Sequence, residues 1–92
     1  MYLSSNQELY DYLVRLAQRL KERRATELSE AITGASRQAA STSAEFLGES
    51  KIALQRALAE GKAVLDTSEQ ADLEDVLRQL TAAINRWPQK ER

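Results

Sequence analysis

Residues 41–58 read STSAEFLGESKIALQRAL, and the class of the fold turns on this run. Thr42 and Glu45 have the spacing of a capping box, in which the threonine oxygen accepts the amide three residues on and the glutamate reaches back to the cap amide. A helix is expected to begin here. From that start Leu47, Leu54 and Leu58 share a face at offsets of seven and four. Ala39, Ser43, Phe46, Ser50, Ala53 and Ala57 run along a neighbouring face at alternating offsets of four and three. Gly48 stands inside the helix, where glycine costs about 1 kcal/mol relative to alanine. A close approach along the Ala44, Gly48, Ile52 ridge, by another helix backbone or by a partner's side chain, would offset that cost; the alternative is a local kink without consequence.

Ninety-two residues supply one core, because a chain this short buries only a little over half of its unfolded surface. Thirteen leucines and fourteen alanines stand against three valines and three isoleucines, a balance that suits helices and not pleated sheets. The expected class is all-α, a small single-domain bundle of three to four helices. A net charge of −1 argues against a general basic field, so nucleic-acid binding would need a local patch. Without cysteine or histidine, the chain has no disulfide framework, none of the usual zinc or haem ligands, and no histidine base. No run approaches the roughly 18 apolar residues of a membrane span, and the start lacks the layout of a signal peptide. Cytoplasmic residence is the expectation, with no cofactor.

Outward from the central run, four helices are expected near residues 6–22, 24–38, 42–60 and 68–87, after a short lead-in over residues 1–5. In the first, Leu9, Leu13, Leu16 and Leu20 recur at offsets of four, three and four, with Tyr10, Val14 and Ala17 beside them and Ser5 or Asn6 as cap. The phase breaks at Arg24 and resumes with Ala25, Leu28, Ile32 and Ala35. Two helices joined by a tight turn, or one bent helix, both fit this pattern, since neither glycine nor proline marks the break. Gly61 is a candidate left-handed residue closing the third helix, with Val64 and Leu65 anchoring the connection. Thr67 or Ser68 should cap the fourth, which carries Leu73, Val76, Leu77, Leu80, Ile84 and Trp87 until Pro88 stops it. The expected core includes Leu13, Leu16, Leu20, Leu54, Leu58, Leu77, Leu80 and Ile84.

Chemistry-bearing constellations are few. Glu45 with Glu49, and Glu69 with Asp72 and Asp75, share helix faces, yet no histidine supports them as a metal site, and the second group suits a helix N-terminus. Residues 66–77 lack the glycine and the glutamate that an EF-hand loop requires. No serine has a lysine three residues on, and no glycine-rich phosphate loop is present. A non-enzymatic protein with no small-molecule substrate is the expectation.

Two surfaces remain as candidates. Arg15, Arg19 and Arg23 form a column at offsets of four that an anionic partner would relieve, although Glu22 and Glu27 offer local ion pairs. Ser43, Phe46, Gly48, Ser50 and Ala53 form the small-residue face of the third helix. Such a face fits either close intramolecular packing or the docking of another protein or a second copy. The sequence reading favours a protein-binding module and leaves nucleic acid as the disfavoured alternative.

Overall fold

A computed structural model describes residues 5–90, with the side chains of residues 86–90 excepted. Residues 1–4 of the expected lead-in, the last two residues and the Trp87 side chain lie outside the described part. The order is α1 (Asn6–Glu22), α2 (Thr26–Arg37), a short 3₁₀ turn (Gln38–Ala40), α3 (Ser43–Glu60) and α4 (Thr67–Lys90). The chain is a small all-α bundle, as its leucine and alanine content implies.

Each start and stop has a local cause. The Ser5 hydroxyl accepts the Glu8 amide at 3.2 Å and opens α1. Thr42 does the same for the Glu45 amide at 3.2 Å, and its hydroxyl donates to the Glu45 carboxylate. At the break after α1, Arg24 takes a left-handed conformation with φ 67°. The Ala25 amide reaches back to the Leu20 carbonyl and the Arg24 amide to that of Lys21. This is a Schellman turn with arginine where glycine is usual. It separates two helices, which settles the choice between two helices and one bent one, and it hid from the sequence because arginine does not announce it.

Three further boundaries differ from expectation. Asp66, not Thr67 or Ser68, caps α4: its carboxylate accepts the Glu69 amide at 2.8 Å, and Glu69 accepts the Asp66 amide at 2.9 Å. Gly61 closes α3 at φ −98° and is not left-handed. Lastly, α4 runs through Pro88 to Lys90, since a proline this close to the end of a helix removes a single ladder bond, the one to the Ile84 carbonyl.

The helices run up and down in sequence. α1 lies along α2, α2 along α3 and α3 along α4, while α1 and α4 scarcely approach through their backbones. The Asn6 amide nitrogen donates to the Ser43 hydroxyl at 3.0 Å, tying the starts of α1 and α3 at one end. Leu13, Leu20, Ile32, Phe46, Leu54, Leu73 and Val76 form the centre of the core. Leu16 and Leu80 are buried as expected, whereas Leu58, Leu77 and Ile84 are only partly buried against it. Of those three, Leu77 lines the open hollow along the α3–α4 seam.

Candidate functional site

The small-residue face of α3 does not sit where a partner could reach it. Phe46 is 1% exposed, Ser50 0% and Ala53 7%, so three of the five expected contact residues are core. The physical reason is the width of the buried arc. α3 packs on both α2 and α4, so the leucine stripe and the phenylalanine stripe are two halves of one inward face. Ser43 is half-buried and holds the Asn6 contact. Ser50 keeps a penalty of this placement, since its hydroxyl finds no hydrogen-bond partner among the described residues. Ser50→Ala should raise stability by about 1 kcal/mol, because a buried unpaired hydroxyl loses its solvation for nothing. An unchanged or lower urea midpoint would contradict the orphaned placement.

The remaining expected residue, Gly48, points the other way. A methyl built on it meets nothing within 4 Å, so no other helix presses on it among the described residues. With Ala44 and Ile52 at offsets of four, Gly48 lies on the outward ridge, opposite Ser50 and Ala57, and Ile52 is 61% exposed. Beside this ridge, Gln55 joins Leu77, Arg78, Thr81, Ala82 and Asn85 around an open hollow of about 470 Å³ along the α3–α4 seam. The fold itself gains nothing from a glycine at this position. Gly48→Ala should therefore raise the stability of the isolated chain by about 0.5–1 kcal/mol, read as a higher melting temperature.

The arginine column is differently disposed from either sequence reading. Arg19 Nη1 lies 2.8 Å from the Glu69 carboxylate, and Arg23 Nη1 and Nη2 reach the same carboxylate at 2.5 and 2.9 Å. Arg23 also donates to the Val64 carbonyl at 2.9 Å. Glu69 thus caps α4 and clasps α4 to the end of α1, across the seam where the backbones stay apart. The expected local pairs do not form among the described residues: Glu27 lies 3.7 Å from Arg56, and Glu22 accepts from Gln18. Below the clasp, Tyr12, Arg15, Leu16 and Asp72 line a cleft of about 190 Å³. Burial pushes the Tyr12 hydroxyl well above its ordinary pKa, with Asp72 and Glu69 adding to the shift.

The Arg23 hydrogen bond, together with the Asp66 amide and Arg19, holds the Glu69 carboxyl down to about 2 against its ordinary 4.5. A carboxyl that is more acidic folded than unfolded stabilises the fold above its unfolded pKa and loses that contribution as pH falls toward the folded one. The clasp's contribution to stability should therefore be full above pH 4.5 and fade between pH 4.5 and 2, while the folded carboxylate itself stays ionised until the lower end of that window. Glu69→Gln should flatten the stability profile in that window, read from urea midpoints at successive pH values, while an unchanged acid limb would assign the loss to other carboxyls.

No family model, curated protein or solved structure matches this chain. No helix among the described residues is long and apolar enough to cross a membrane.

Proposed function

We propose that this is a non-enzymatic cytoplasmic helical module that acts by binding another protein or a second copy of itself, through the outward ridge of α3 and the adjoining α3–α4 hollow. The observation that carries this reading is Ile52, a large apolar side chain 61% exposed next to a glycine whose helix-weakening effect serves no contact within the chain. Large apolar residues at the centre of a patch with a polar surround are the usual anchors of protein association. The binding surface is thus half a turn away from the Phe46, Ser50, Ala53 face.

The nucleic-acid alternative finds less support. Glu69 pairs with two of the three column arginines and offsets one of their charges, leaving Arg15 as the only member without an ion pair among the described residues. Placing a photoreactive side chain at Ile52 in living cells tests the module reading. A discrete cross-linked adduct, to the same chain or another, is expected from Ile52 and not from the same probe at Gln18. Absence of any adduct from Ile52 would overturn the reading.

A further inference from the structure

We infer that the occupant of the α3 ridge is a second copy of this chain, docked antiparallel so that Ile52 of each copy covers Gly48 of the other; this rests on the reading of α3 as the docking helix. Ile52 is a projecting side chain and Gly48 an open gap, set four residues apart on one ridge. An antiparallel two-fold axis midway between them exchanges the two positions, so each projection meets a gap and the contact is made twice. A parallel two-fold would set glycine on glycine and isoleucine on isoleucine. The pattern is self-complementary, which an unrelated partner would not require.

The charges flanking the ridge agree with this register. The same rotation places Glu45 of one copy within one residue of the level of Arg56 of the other, on the same edge of the contact. Glu45 has no ion pair among the described residues, and Arg56, 43% exposed, is held only loosely, at 3.3 Å from Glu60 and 3.7 Å from Glu27. Ala44 comes opposite Gln55, which continues the contact into the Leu77 hollow. Lys51 flanks the axis as a like-charge neighbour, and its stem is long enough to carry the ammonium into solvent. One ridge and one shallow hollow make a small interface, so the association should be weak, on the order of 10–100 μM, at the low end of interface sizes.

Sedimentation of the purified full chain from 10 μM to 1 mM provides the test. A monomer–dimer equilibrium is expected, abolished by Ile52→Glu, weakened about tenfold by Glu45→Arg, and restored by combining Glu45→Arg with Arg56→Glu. The chain has no cysteine, so mixing Gly48→Cys with Ile52→Cys under oxidation should give the mixed disulfide dimer faster than either variant alone forms its own. Faster homodimeric disulfides would overturn the antiparallel register. A parent monomeric at 1 mM that still gives the Ile52 adduct in cells would overturn the second copy as occupant and leave the module reading standing. A monomer with no adduct would overturn both, whereas a dimer unmoved by Ile52→Glu makes its contact on another face and would overturn the ridge dimer alone.

Discussion

Phe46→Ala should lower the unfolding free energy by about 3–5 kcal/mol, the usual range for deleting a fully buried aromatic ring and leaving part of its cavity behind. Phe46 heads the largest fully buried side chains among the described residues, and it lies one turn from the equally enclosed Ser50. The same truncation at Ile52, 61% exposed, should stay within about half a kcal/mol. Urea unfolding of the two variants at a concentration below any self-association separates the two faces of one helix. A loss under 1 kcal/mol at Phe46 would put the phenylalanine on the surface, and the ridge described above would then be the core-facing side.

That comparison also shows where the sequence was legible. The capping pair Thr42 and Glu45, the leucine recurrence in α1 and the apolar series from Leu73 to Leu80 each depend on neighbours within one or two turns, so element type and the main core could be read directly. The face of α3 could not. At about 100° per residue, Phe46, Ser50, Ala53 and Ala57 adjoin the Leu47 and Leu54 stripe, and one-dimensional spacing does not say whether one neighbour covers both stripes or two do. With α2 on one side and α4 on the other, the whole arc is buried, and the small residues serve to admit those neighbours.

The ion-pair partners of the arginine column were hidden for a different reason. Glu22, Glu27 and Glu69 are chemically equivalent partners, and only the chain's return along α4 brings the last of them, 46 residues beyond Arg23, into reach. Its identity as the third residue of a capping box was visible as a spacing from Asp66. Thr67 and Ser68 were equally good cap residues in the sequence, and they drew the helix start one position too far along.

Gly61→Ala should cost about 1–3 kcal/mol, as overpacking a closed site does, although both residues suit its φ of −98°. The conflict is one of space. A Cβ here would stand 2.6 Å from the Ala57 carbonyl oxygen and 3.3 Å from Leu28 Cδ1. The leucine can turn aside, but the carbonyl cannot without loosening the 2.8 Å bond it accepts from the Gly61 amide. Displacing Gly61 also moves the carbonyl that accepts both the Val64 and Leu65 amides at 2.9 Å. Those two residues set the path to Asp66, and hence the position of the Glu69 clasp on Arg19 and Arg23. Thermal melts should place Gly61→Ala below the parent and Gly48→Ala above it, from the same chemical change in one helix and its cap. A Gly61→Ala variant as stable as the parent would mean that the connection yields freely, and that Glu69 does not depend on it for its place.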